Sequence, residues 1–416
     1  MSNKDLDEKL KGKGPADIAE MLDNSSTVEL TPEEKEELER LRARREELKH
    51  WTVAAAGRRL VQRLEKLENR RDRGGHFRFP GGNGPAEKRD GFFLEGLVEN
   101  LSTWAWGESP WGHDMANLVA PITTDSVIVL VGGTGRGKSG FAIQFANCQD
   151  EAPVLYVSCE MASEEIVARM IAQAQQGPSK VAYSAILKGR YRSKEVAEAV
   201  EQICKYRRMD SVYLWSPESK DRNMQAAEEM AKAVSVEHDT KAPFVVLDYV
   251  QRLAKNSEDR RGAVSDISGE IRDLSRPKGW WPGACVLALS STARHGYSVL
   301  KDVRSLLAAY KGGYSSTDSK TKTPPEPLEG LGKESGELEY DCTVLMVLTC
   351  DPPGNKESNY GRYRSGLVVV AKNRFGPTGA VGFDFHPGPG VWKSSHGNLP
   401  DVSQNPNEDG KKKRRW

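Results

Sequence analysis

Hydrophobic and polar positions change their pattern several times along the 416 residues. Residues 1–30 are polar and weakly patterned. Thr31, Pro32, Glu33 and Glu34 then place a capping hydroxyl, a proline at the first helical position and a Glu three residues after the cap. Leu38, Leu41 and Leu48, then Leu60, Leu64 and Leu67, recur at helical spacing as far as about Arg73, in a stretch dense in Glu, Arg and Lys. The pattern predicts one long helix or two consecutive ones. So narrow a leucine stripe buries little alone, which leaves two readings open: an arm for oligomerisation or partner docking, or a solvated helix lying on its own domain. Residues 74–85, GGHFRFPGGNGP, read as a linker.

Beyond the linker, short β-branched runs alternate with amphipathic stretches, the texture of an α/β domain whose mostly parallel sheet is covered by helices. Strands are expected at Ser126–Val131, Val154–Ser158, Val212–Trp215, Phe244–Leu247, Cys285–Ser290, Val344–Leu348 and Leu367–Ala371. VRSLLAAYKGG suggests a short helix inside a long segment after the fifth strand. No internal repeat is visible. The tail from Gly397 is polar and ends GKKKRRW.

The total of 60 Lys and Arg against 59 Asp and Glu excludes a histone-like basic protein and an acidic tail protein. Position matters more than the sum: residues 91–250 carry a net −6 and residues 251–416 a net +6. No run of about 18 apolar residues exists to span a membrane, and MSNKDLDEKLKGKG lacks the apolar core of a signal peptide, so a cytoplasmic location is expected. Six cysteines without CxxC spacing point to small core residues rather than zinc ligands.

VIVLVGGTGRGKSGFAIQFA carries the strongest chemical signal. Gly132, four residues, then Gly137, Lys138 and Ser139 match GxxxxGK[ST], between an apolar strand and a helical pattern. Gly132, Gly133, Thr134, Gly135, Arg136, Gly137, Lys138, Ser139 and Gly140 are the expected cradle for ATP: backbone N–H groups close on a phosphate, Lys138 reaches the β and γ oxygens, and Ser139 ligates Mg²⁺. VLYVSCEM ends in Glu160, a carboxylate at a strand end beside the loop, where it could polarise water or simply start a helix. FVVLD delivers Asp248 from an apolar strand toward the same Mg²⁺.

With these pieces in place, VLYVSCEMASEEIVARM, FVVLDYVQRL, VSDISGEIRDLSR, CVLALSSTAR, ESGELEYDCTVLMVL and VVVAKNRFGPTGAV resemble, in order and spacing, the ATPase domain of replicative DnaB-type hexameric helicases over roughly residues 91–390. The resemblance implies a RecA-like P-loop NTPase fold with nucleotide between neighbouring subunits of a ring. It divides the chain into a charged helical segment 1–73, a linker 74–90, the ATPase domain 91–396 and a basic tail 397–416. It further implies Glu160 as general base and Lys372 and Arg374 as the pair inserted toward the γ-phosphate of the adjacent subunit, with single-stranded DNA as partner. The implied activity is ATP-driven DNA unwinding or translocation in replication. An ATP-gated DNA-binding or helicase-loading factor, or a recombination ATPase, is the alternative.

Departures from the family pattern qualify these expectations. Ser291 and Thr292 stand where the family has Gln and Leu, the Gln being its sensor of the γ-phosphate. Residues 295–333 are longer than the family's DNA-facing loop. Lys301, Arg304 and Lys333 there, with Arg294 before it and Lys255, Arg260 and Arg261 after Asp248, are candidate contacts to DNA phosphates; a solvated insertion is the competing reading. The N-terminal 90 residues are too short for the family's usual collar, so assembly or loading is expected to use the Thr31–Arg73 helix or another protein. Trp104, Trp106 and Trp111 are read mainly as packing residues.

Overall fold

Apolar runs bounded by turn residues assemble, in the computed structural model, into one sheet. The structure describes residues 30–72, 124–147, 149, 152–174, 181–206, 209–254, 260–294, 296–312, 328, 331, 336–352 and 363–394. Strands β1 (Val127–Gly132), β2 (Val154–Ser158), β3 (Val212–Trp215), β4 (Phe244–Asp248), β5 (Cys285–Ser291), β6 (Val344–Cys350), β7 (Arg364–Asn373), β8 (Gly379–His386) and β9 (Val391–Ser394) take the order β3-β2-β4-β5-β1-β6-β7-β8-β9. The first six are parallel and β6 through β9 pair antiparallel. β1 to β4 are buried along their whole length, which is why they read as unbroken apolar runs rather than alternating ones. β5 separates the strand that enters the phosphate loop from the one that ends in Asp248.

Three helices open the described chain: α1 (Pro32–Ala43), α2 (Arg45–Trp51) and α3 (Val53–Asp72). The expected capping box is formed, with Thr31 Oγ1 accepting from the Glu34 N–H and Glu34 Oε2 accepting from the Thr31 N–H. The remaining helices are α4 (Lys138–Asn147), α5 (Ser163–Ala174), α6 (Tyr183–Leu187), α7 (Ser193–Tyr206), α8 (Met224–Glu237), α9 (Arg260–Ser275), α10 (Gly296–Val299), α11 (Val303–Gly312) and α12 (Gly336–Asp341). Two cores result, one on each face of the sheet. α3 to α7 cover one face, and α1, α2, α8, α9, α11 and α12 the other.

The leucine stripe is spent inside this chain. Leu41 and Leu48 join the core that includes Tyr213 and Trp215, whereas Leu60 and Leu64 join the core on the opposite face. Between them Thr52 bridges Tyr213 in antiparallel fashion, so the arm passes around the edge strand β3 and covers its open hydrogen-bonding side. The stripe is narrow because each half meets a different face. Of the two readings weighed above, these buried leucines serve packing on the domain rather than a seam for a partner; Leu38 is buried likewise, and the side chain of Leu67 lies outside the described residues. Charged contacts fix the arm's position: Arg59 bonds Glu164 (2.6 Å) and Ser163 (2.7 Å) at the start of α5.

Candidate nucleotide site

The phosphate loop leaves the carboxyl end of β1, flanked by β5, where Ser291 is opposite Gly132, and by β6, where Leu348 is opposite Gly132. Gly135 and Gly137 have φ of 72° and 83°, values at which a side chain would be strained. Gly137 must also be small for packing: a Cβ there would lie 2.8 Å from the Phe385 ring, and the Trp392 Nε1–H donates to its carbonyl at 3.2 Å. The β8–β9 hairpin is thus seated on the loop, and Gln144 of α4 bonds both backbone groups of Trp392.

Lys138 is buried, its ammonium donating to the carbonyls of Gly132 (2.6 Å) and Gly133 (3.1 Å) and lying 5.1 Å from the Tyr249 ring centroid. Burial pushes its pKa down to about 8, against the opposing charges of Asp248 and Glu160. A partly desolvated cation facing two neutral carbonyls gains strongly from an anion placed at the loop, which fits a polyphosphate.

Asp248 is buried at the end of β4 and accepts hydrogen bonds from Tyr156 Oη (2.7 Å to Oδ2) and from Ser139. Burial raises its pKa above the ordinary carboxylate range although Tyr156, Ser139 and Lys138 all favour the anion. A hydroxyl and a carboxylate in contact beside a phosphate loop make an oxygen donor set suited to a hard cation such as Mg²⁺. Ser158 pairs with Asp248 across β2 and β4, which sets Glu160, two residues on, beside the same crevice. Its carboxylate pairs with Arg252 at 3.4 Å, and both groups are reached by solvent. Gln251 donates to Ser290 Oγ at 2.8 Å and so ties the exit of β4 to that of β5.

Lys372 and Arg374 sit at the other end of the sheet. Asn373 is opposite Val344, which is opposite Ile128, four residues before Gly132 or about 13 Å at ~3.3 Å per strand residue. A bulge at Ala371, between the pairs Leu345–Lys372 and Met346–Val370, re-aims this strand end. Lys372 Nζ donates to the carbonyls of Glu339 (3.0 Å) and Tyr340, and Arg374 to that of Tyr340 (3.1 Å). These are last-turn carbonyls of α12, the negative end of a helix. The pair is therefore remote from Lys138 of its own chain.

Of the residues expected to meet DNA, Arg294, Lys301 and Arg304 are exposed on the segment following β5, at the sheet end that holds the phosphate loop. Arg260 and Arg261 open α9, with side chains outside the described residues, where Lys255 and Lys333 also lie. The three tryptophans 104, 106 and 111 and Cys148 are likewise outside them. The described cysteines form no disulfide with one another; burial pushes the thiol of Cys159 up to about 12. Among the described residues no helix is long and apolar enough to cross a membrane, and no group of His, Cys, Asp and Glu forms a metal cluster.

Two members of the site, Tyr156 and Arg252, and one residue beside it, Tyr297, escaped sequence reasoning. Tyr156 sits in a wholly buried strand, where a phenol needs a hydrogen-bond partner, and that was its available signal. Arg252 is a charge directly after an apolar strand. Tyr297, whose hydroxyl is 3.3 Å from that of Thr134, had no signal.

Residues 113–298 match the DnaB-like helicase C terminal domain. The replicative DNA helicase DnaB of Buchnera aphidicola (subsp. Acyrthosiphon pisum, strain APS) is 22% identical over 281 residues, covering 66% of this chain and 53% of that protein. The replicative DNA helicase DnaC of Bacillus subtilis (strain 168) is 20% identical over 278 residues, 65% of this chain and 53% of that one. The chain therefore spans about half the length of the curated relatives it matches. A solved DnaB-like replicative helicase, described together with its interactions with primase, has a TM-score of 0.49 at 19% identity, over 73% of this chain and 67% of that one. By its family match and its curated relatives, the chain resembles DnaB-type replicative helicases.

Proposed function

We propose that this protein is an ATP-hydrolysing DNA helicase or translocase of DnaB type, with each nucleotide held between two copies of the chain in a ring. The observation that carries the reading is the opposition of two half-sites. The phosphate loop, Asp248 and Glu160 occupy the carboxyl end of the sheet, while Lys372 and Arg374 occupy the amino end, out of reach of their own loop. Head-to-tail contact between copies brings the two halves together, and such contacts form a ring where the rotation between copies closes.

In this reading Lys138 moves from the loop carbonyls onto the β and γ oxygens of ATP. Ser139 and Asp248 hold Mg²⁺, which when bound neutralises charge on the phosphate oxygens. Glu160 leaves Arg252 and takes the proton of the attacking water. Lys372 and Arg374 of the neighbouring copy meet the charge that spreads over the transferred phosphoryl group, an effect worth roughly 10³ to 10⁵ in rate in other NTPases. Exposed Arg294, Lys301 and Arg304 are suited to contact phosphates of a single strand inside the ring.

The test is ATP turnover with and without single-stranded DNA, on protein whose mass in solution is known. DNA-stimulated turnover by an oligomer is expected, abolished in Lys138→Ala and reduced by orders of magnitude in Glu160→Gln. Turnover by Lys138→Ala at the wild-type rate overturns the reading.

A further inference from the structure

The segment that follows β5 is fastened to the phosphate loop itself. Arg136, inside the loop, donates one guanidinium N–H to the carbonyl of Cys350 at the end of β6 and another to the carbonyl of Lys301, both at 2.7 Å. Thr134, at the exposed crest of the loop, has its hydroxyl 3.3 Å from that of Tyr297 in α10. The rest of the segment is held by β6: Thr349 Oγ1 donates to the Leu300 carbonyl (2.7 Å), the Val303 N–H donates to Asp351 (3.0 Å), and Leu306 and Leu307 of α11 are buried.

α10 and the turn at Lys301 are bonded to the loop, whose shape must respond to what fills it, and α11 continues directly from that turn with Leu306 and Leu307 buried and Arg304 exposed near its start. On the neighbouring strand end, Ser291 is opposite Gly132 and carries a side chain too short to reach far. Any link from loop to segment must therefore use other groups, and Tyr297 and Arg136 are already in contact.

We propose that Tyr297 is a positioning residue that, with Arg136, couples filling of the phosphate loop to residues 296–312. This deepens the function proposed above and rests on its reading of the loop as a nucleoside triphosphate site. A triphosphate that draws Thr134 and Arg136 inward pulls on the Tyr297 hydroxyl and the Lys301 carbonyl, and it shifts the exposed side chains of Lys301 and Arg304 that follow. The segment then reports the terminal phosphate to whatever binds those cations.

Hydrogen–deuterium exchange on the full chain tests this, with Mg²⁺ and a non-hydrolysable ATP analogue, with ADP, and without nucleotide. In the wild type the triphosphate analogue is expected to slow exchange severalfold both in residues 132–140 and in 296–312, whereas ADP protects mainly the loop. In Tyr297→Phe the loop is protected as before and the change in 296–312 is lost. Equal protection of 296–312 in wild type and Tyr297→Phe, or a protected loop with an unchanged segment in the wild type, overturns the proposal. A loop unprotected by either nucleotide instead overturns the underlying nucleotide reading. Catalysis gives a second readout: Tyr297→Phe keeps its affinity for the ATP analogue and loses severalfold in stimulation by single-stranded DNA. Full stimulation in this variant contradicts the coupling.

Discussion

Asp248 shows how the fold keeps a carboxylate in its interior. A carboxylate with almost no access to water is costly, and here Tyr156, Ser139 and the nearby Lys138 ammonium offset part of that cost without neutralising it. Tyr156 is the partner built into the apolar strand for this purpose. Tyr156→Phe keeps the ring and removes only the hydroxyl, leaving a buried acceptor short of a donor. The expected loss is about 1–3 kcal/mol of stability, with secondary structure retained, measured by urea unfolding. Unchanged stability would show that Ser139 and Lys138 satisfy Asp248 alone. The phosphate loop itself was legible because its nine residues are contiguous and each glycine has a local reason. Asp248 was legible because an apolar run ending in Asp is itself a pattern. Tyr156, Arg252 and Tyr297 were not, since each acts through a partner distant in sequence that no local pattern specifies. Lys372 and Arg374 became visible only through resemblance to a family.

At the level of elements, the N-terminal arm separates what periodicity can tell from what it cannot. The capping box and leucine spacing predicted one or two helices over this stretch, where the structure has three, broken at Arg44 and Thr52. They could not say what the stripe would meet, and the answer, both faces of an edge strand some 150 residues away, depends on tertiary structure. Seven strands were legible as apolar runs. β8 and β9 were not, because GAVGFDFH is broken by glycines and VWKS is only four residues long; both owe their strand form to pairing with β7 and packing on the loop. The arm's docking has an ionic component that can be titrated. Glu37 of α1 accepts from Lys232 and from the Trp280 indole, each at 3.0 Å. Burial works against its ionisation, yet the two hydrogen bonds prevail and hold its pKa below the ordinary carboxylate value of 4.5. A depressed carboxylate contributes stability that is present above its unfolded pKa and is lost as pH falls through its folded one. Glu37→Gln is therefore expected to be less stable than wild type at neutral pH by up to about 1 kcal/mol, with the difference closing as pH drops below 4.5. Urea midpoints followed by tryptophan fluorescence across that range check this, and a pH-independent difference would refute it.

For the whole molecule, neutrality is a sum over unlike regions. Residues 91–250, which hold the phosphate loop, are net acidic, and residues 251–416, with Arg294, Lys301, Arg304, Lys372 and Arg374, are net basic. One chain places its phosphate loop and its Lys372–Arg374 pair at opposite ends of a single sheet. In the function proposed above, a second copy brings the two together. The account then predicts that two inactive variants repair each other. Lys138→Ala and Arg374→Ala should each hydrolyse ATP far below wild type, Arg374→Ala by roughly 10³ or more. Co-expressed one to one in mixed assemblies, about a quarter of the junctions pair an intact Lys138 with an intact Arg374 from the neighbour, because the interface is heterologous. ATP turnover by the mixed assembly is predicted to rise well above that of either variant alone, whereas turnover no higher than that of the better single variant would contradict a site shared between subunits.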